Sequence, residues 1–256
     1  MPTFLSIFEY DGSPYRGWQS QPGLKTVQGE IEAALKTLTN HNIIVQACGR
    51  TDAGVHALAM PASFEADNID ANRLREGLNG ILARQLISCI DVYEMPSGFN
   101  ARFDCKGRAY EYRILARRAH PALGRGYVHS VRVPLDVDAM NFAAQYLVGR
   151  HDFTTFRSSD CQADSPVKTL DVFRVSRRGE EIVIEAKARS FLHHQVRLMV
   201  GSLVQVGKGH WEPVDLKHAL EAVDPVASGP MIASDGLYFV RGIYSELPEP
   251  GPYLRS

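Results

Sequence analysis

The densest chemistry in this sequence lies in nine residues, Gly49-Arg50-Thr51-Asp52-Ala53-Gly54-Val55-His56-Ala57. Bracketed by glycines, the stretch offers a guanidinium (Arg50), a carboxylate (Asp52) and an imidazole (His56), groups that exchange protons and hold anions. It follows an expected strand, and loops positioned by a rigid sheet are where catalytic groups tend to sit. The same residue types also suit an Asx-turn at Asp52 and a plain surface charge at Arg50, so spacing alone leaves both readings open. A second feature is Arg197, within Phe191-Leu192-His193-His194-Gln195-Val196-Arg197-Leu198-Met199-Val200-Gly201. On a helix it would share a face with His193, His194, Val200 and Gly201. A cation in so apolar a helix calls for a carboxylate partner or an anionic ligand, unless it snorkels to the surface.

A third feature is a run of charge. Between Ala101 and Arg132, eight basic residues (Arg102, Lys106, Arg108, Arg113, Arg117, Arg118, Arg125, Arg132) stand against Asp104 and Glu111, a net of +6. Tyr110, Tyr112 and Tyr127 are interleaved with them. Such a mixture can contact phosphates and stack on bases at once, although a solvated strand face would look the same. The whole chain carries only −1, so the basic character is local.

Other chemistries are argued against by what is missing. The sequence holds no G-x-S-x-G elbow, no H-E-x-x-H, no P-loop and no G-x-G-x-x-G after a strand. Cys48, Cys89, Cys105 and Cys161 lie far apart without a CxxC pair, so they read as free thiols rather than a zinc site or disulfide framework. His193 and His194, adjacent on an expected helix, would project in different directions and make poor joint ligands, so no metal is expected. The chain starts without a basic flank and long apolar run, and no apolar stretch nears the roughly 20 residues that span a bilayer, so a soluble, cytoplasmic protein is expected. With 45% hydrophobic residues in 256, the chain can bury one large core or two small ones.

These groups need elements to position them. Periodicity and breakers predict strands over residues 3–10, 43–48, 59–64 and 87–93, with helices over 27–38 and 73–82. Thr26 is the expected N-cap of the first helix, with Glu30 near the capping-box position. The order is βαββαβ. The second half repeats it: strands over 108–116, 171–176, 182–188 and 237–243, and helices over 138–148 (opened by Asp136 or Asp138) and 191–206. Residues 177–180 form the hairpin turn and residues 207–211 the turn that ends the long helix. Phe153 and Phe156 read as core. Two such units imply an α+β fold of two ferredoxin-like halves, able to join their sheets and leave a cleft.

Taken together, the chain resembles the bacterial tRNA pseudouridine synthase A family over almost its whole length. The resemblance rests on Phe8-Glu9-Tyr10-Asp11-Gly12, Gly17-Trp18-Gln19, Thr26-Val27-Gln28-Gly29 and, most specifically, Gly49 to Ala57. It continues through Phe99-Asn100-Ala101-Arg102-Phe103, Lys106-Gly107-Arg108-Ala109-Tyr110-Glu111-Tyr112, His151-Asp152-Phe153, the Phe191 to Arg197 segment and Gly236-Leu237-Tyr238. It implies two ferredoxin-like halves in one largely antiparallel sheet with helices packed on it and an active-site cleft between them. Residues 1–100 would carry the catalytic aspartate loop; residues 101–256 would carry the stacking tyrosine and the arginine helix.

The implied reaction converts uridine to pseudouridine at positions 38, 39 and 40 of the tRNA anticodon stem–loop, with no cofactor, no metal and no membrane. Asp52 matches the nucleophile and Arg197 the cation paired with it. Tyr110 matches the residue that stacks on the target uracil and acts in proton transfer, and Arg50 the one that holds the flipped nucleotide. Tyr110, Arg102, Lys106, Arg108 and His56 are the expected tRNA contacts, and a homodimer is the expected working unit. Two rivals remain at this stage: a non-catalytic RNA-binding protein, which would leave tRNA unmodified, and a metal-dependent hydrolase using His56, His151, His193 or His194, which a metal assay would expose.

Overall fold

In the computed structural model, which describes residues 1–161 and 163–245, the chain opens with strand β1 (Thr3–Tyr10), buried along most of its length. Helix α1 (Val27–Thr39) follows, its N-cap Thr26 accepting a hydrogen bond from Gly29 N–H. The third helical position is Gly29, so Glu30 stands one residue past the place where a capping box would close. Val27, Ile31, Ala34 and Leu35 fall on one helical face and are buried there. Strand β2 (Gln46–Ala47) is far shorter than the six residues expected. Strand β3 (His56–Glu65) starts earlier than expected, at His56. Helix α2 (Ala71–Leu82), capped by Asp70, buries Leu74, Leu78 and Leu82, and strand β4 is Ile87–Met95.

Then come β5 (Gly107–Ala116), β6 (His129–Val131), α3 (Val137–Ala144) and β7 (Gly149–Asp152). They are followed by β8 (Val167–Arg178), β9 (Glu181–Ala188), α4 (Gln195–Gly207), α5 (Pro213–Ala222) and β10 (Leu237–Ile243). Asp136, not Asp138, caps α3. Strands β6 and β7 and helix α5 were not anticipated. Among the described residues no helix is long and apolar enough to cross a membrane.

Contacts divide the described residues into two units: one of residues 1–108 with 238–245, and one of Ala109–Leu237. The division thus falls at Arg108 rather than at residue 100, and the last strand returns to the first unit. In that unit the strand order is β4-β1-β3-β10. Strand β1 is antiparallel to β3 (Leu5↔Ser63) and to β4 (Leu5↔Tyr93), and β10 lies parallel to β3 through Tyr238↔His56 and Phe239↔Ala57. Because β10 takes the start of that edge of β3, β2 has only its end, Gln46↔Ser63 and Ala47↔Ala62.

The residues just before β2 find other partners. Val45 N–H donates to Glu32 Oε1 and its carbonyl accepts from Gln28 Nε2, both side chains of α1. That satisfies the backbone without a ladder and explains why the expected strand is cut short.

In the second unit the order is β5-β9-β8-β7, with β6 parallel to β5. The hairpin β8–β9 turns at Gly179, as expected. Helices α3, α4 and α5 pack on one another, and α3 packs on β8. Phe153 and Phe156 are fully buried here. Both units are mixed α+β with mostly antiparallel pairing, and in each the first strand of the motif lies beside the third, as in a ferredoxin-like sheet.

Candidate functional site

Asp52 lies in the loop that joins β2 to β3, half-buried, with exposed Arg50 two residues before it. The loop closes on itself: Val55 N–H donates to Asp52 O at 3.2 Å. Gly54, at φ 79°, occupies the third position of that turn, which in a type II turn requires a positive φ. The loop is then clamped from β1 and the segment after it. Thr51 Oγ1 lies 2.8 Å from the Tyr10 phenol oxygen, and Trp18 N–H donates to Thr51 O at 3.0 Å. Gly12 packs so closely on Val55 that a Cβ there would stand 1.9 Å from the Val55 carbonyl oxygen.

His56 belongs to this clamp. Its Nδ1 lies 3.2 Å from Gly12 N and 3.2 Å from Asp11 Oδ1, and its ring stacks on Tyr238 at 4.9 Å. Unprotonated, that nitrogen accepts from the Gly12 N–H; protonated, it donates to Asp11. The side chain is 2% exposed, so the expectation of a direct tRNA contact gives way to support of the loop from beneath. The sequence motifs include Tyr10, Gly12, Trp18 and Thr51 but gave none of them a part in holding the loop. The available signal was the pair Gly12 and Gly17 in a long loop, since glycines mark close backbone approach.

Arg108 is also drawn into structure. Its Nε and Nη2 donate to Cys48 O at 3.2 and 2.8 Å, and Nη2 reaches Arg102 O at 3.0 Å. The guanidinium thus ties the start of β5 to the chain that leads into the Asp52 loop, rather than simply facing solvent. Arg102 and Lys106 are exposed, as tRNA contacts would be. Cys48 and Cys105 are free thiols, as expected, but folding brings their sulfurs to 3.0 Å. The hydrogen bond from Cys48, with Arg108 nearby, lowers the Cys105 thiol to about 6, while that bond and burial push Cys48 up.

In the second unit, Tyr110 stands half-buried on β5 and meets Phe191 edge-on at 5.1 Å. The neighbouring Tyr112 is core: it is closed to solvent, its hydroxyl donates to Ala233 O at 2.7 Å, and burial holds its phenol well above the ordinary value. Glu111, between them, is 8% exposed and binds Arg113 at 2.6 Å and Arg178 at 2.8 Å. Burial pushes its carboxyl up, but the hydrogen bonds from Arg178 and Arg113 outweigh this and hold it below the ordinary carboxylate value. Arg117 pairs with Glu180 at 2.6 Å. The basic run is therefore partly neutralised, and its tyrosines divide between surface and core.

Arg197 is half-buried, not deep, because α4 begins only at Gln195 and Arg197 falls in its first turn. Its Nε donates to Ile232 O at 2.9 Å, and Ile232 N–H returns a bond to Arg197 O. His193 and His194 precede the helix. His194 takes φ 62°, which ends helical propagation, and Gln195 Oε1 accepts from Leu192 N–H. The two imidazoles consequently lie side by side, 3.8 Å between centroids, instead of diverging as expected.

A family model described as tRNA pseudouridine synthase matches residues 143–245. A protein of Caulobacter sp. (strain K31) named tRNA pseudouridine synthase A is 51% identical over 93% of this chain and 96% of its own. Proteins of the same name from Caulobacter vibrioides (strain NA1000 / CB15N) and Maricaulis maris (strain MCS10) are 49% and 46% identical. The first covers 94% of this chain and 98% of its own length, the second 98% and 100%.

Proposed function

The chain belongs to the tRNA pseudouridine synthase A family and isomerises uridine to pseudouridine in tRNA, and on that premise we propose that Asp52 is the nucleophile. Its target uridines are those at positions 38, 39 and 40 of the anticodon stem–loop. The base is detached from the ribose at nitrogen and rejoined through carbon, so no atom is gained or lost and the chemistry calls for no redox cofactor or energy donor. One carboxylate suffices as the covalent partner. The glycosidic bond of a stacked nucleotide is out of reach, so the uridine must first be flipped.

The remaining roles follow from the side chains. Arg197 is the cation paired with the Asp52 carboxylate. Tyr110, backed by Phe191, stacks on the uracil and acts in the proton transfer at its carbon. Arg50, exposed beside Asp52, holds the extruded nucleotide, and Arg102 and Lys106 meet backbone phosphates. The working unit is a cytoplasmic homodimer with tRNA lying across both copies.

The observation that carries the assignment of Asp52 is its setting: a half-buried carboxylate in a turn that is clamped from both flanks. The test is to map pseudouridine in tRNA after incubation with the unaltered protein and with Asp52→Asn. The unaltered protein modifies the uridines at 38 to 40. The variant binds tRNA nearly as well, because affinity is spread over many phosphate contacts, and forms no product. A variant that retains more than about a few per cent of turnover, far above the loss of a covalent nucleophile, removes Asp52 from the role.

A further inference from the structure

A loop residue has no ladder to hold it, so the restraint on Asp52 comes through its neighbours. Thr51, immediately before it, is 7% exposed and is gripped twice. Its hydroxyl pairs with Tyr10, the last residue of β1, and its carbonyl accepts the Trp18 N–H. The Tyr10 and Trp18 rings lie 5.9 Å apart at 42°, so both grips belong to one packed aromatic pair. On the other flank, Val55 closes the turn onto Asp52 O and is itself pressed against Gly12.

We propose that the buried Tyr10–Thr51 hydroxyl pair positions Asp52: Tyr10 fixes the Thr51 side chain, and with it the peptide that leads into Asp52, so that the carboxylate stands where the sugar must meet it. This rests on the reading of Asp52 as the reacting group. Tyr10 acts only through Thr51. Its ring is 3% exposed and cannot stack on a base, and burial raises its phenol so far that it stays protonated. Removing one hydroxyl strands the other away from water, and the cheapest relief is a shift of the loop. Reacting groups tolerate such shifts poorly: about 1 Å of misplacement costs up to roughly 100-fold in rate.

The experiment uses the full chain and a tRNA transcript, and measures kcat, KM and melting temperature for Tyr10→Phe, Thr51→Val, the double variant, Thr51→Ser and Asp52→Asn. Tyr10→Phe and Thr51→Val each lower kcat about 10- to 100-fold with KM nearly unchanged, since the tRNA contacts lie elsewhere. The double variant loses little more than the worse single one, because one pair is broken in all three. Thr51→Ser restores most of the kcat lost in Thr51→Val, since it returns the hydroxyl. A merely structural hydrogen bond would lower the melting temperature and leave kcat intact below it. If Thr51→Val does not fold, Tyr10→Phe, which keeps the ring, decides alone. Near-normal kcat in folded Tyr10→Phe, with Asp52→Asn inactive, overturns the positioning role and leaves Asp52 in place. Turnover in Asp52→Asn overturns both.

Discussion

Replacing Gly12 by alanine tests how rigidly the Asp52 loop must be held. The added Cβ would stand 1.9 Å from the Val55 carbonyl oxygen and 2.4 Å from its carbon, where real Cβ atoms keep at least 3.0 Å. Val55 must therefore retreat by about 1.1 Å, and because backbone is the obstacle, no side-chain rotation relieves the overlap. Gly12 has no left-handed φ, so alanine suits its backbone and the steric overlap is the whole effect. Val55 N–H is bonded to Asp52 O, so the retreat is transmitted to Asp52. A displacement of this size costs roughly 100-fold in rate, about 2.7 kcal/mol of transition-state stabilisation. The assay is steady-state pseudouridine formation on tRNA, with KM and the melting temperature as controls. Expected are a kcat lowered about 100-fold, a KM nearly unchanged and a protein still folded at the assay temperature. A folded Gly12→Ala protein with kcat within threefold of the unaltered one would refute the reasoning, because the loop would then have room to spare.

Two further predictions concern β5. Glu111→Gln leaves Arg113 and Arg178 facing a neutral group. One charged hydrogen bond is worth about 1.5–3 kcal/mol, and the Arg178 bond is discounted because that side chain is half exposed, so the loss is about 2 kcal/mol. At roughly 2–4 °C per kcal/mol, the melting temperature falls about 6 °C. Since the folded-state carboxyl is held below its ordinary 4.5, the stability gap to the unaltered protein is full above pH 4.5 and shrinks as pH falls through the lower folded value. A gap that grows in acid contradicts the sign. Tyr110→Phe keeps the ring against Phe191 but loses the hydroxyl; turnover falls about 100-fold while tRNA affinity changes little, and equal rates would reduce Tyr110 to a stacking surface.

Elements stabilised by their own neighbours were legible in the sequence. Strands β1, β4, β5 and β9 and helices α1 and α2 fall within a few residues of their expected limits, because alternation, helical spacing and a cap such as Thr26 act over short stretches of chain. Helix α5 was missed, although Glu212 and Asp215 form a capping box around Pro213 in its first turn. The nine-residue loop showed its guanidinium, carboxylate and imidazole by residue type, but residue type and spacing alone left a plain turn with a surface charge equally open.

Tertiary structure decided the rest. Ile43, Val45 and Ala47 are buried while Ile44 is 70% exposed, a strand's alternation, yet the ladder is only Gln46–Ala47 because β10 and the α1 side chains hold what that strand would have needed. Apolar periodicity ran through Phe191, but the left-handed His194 starts α4 at Gln195 and so moves Arg197 into its first turn. His56 read as a substrate contact and is instead sealed under the loop by Tyr238, a residue from the far end of the chain. Residue types announce which groups are available. Which of them meet, as Tyr10 meets Thr51 across 41 residues, depends on how strands pair and on which polar groups are left to satisfy one another away from water.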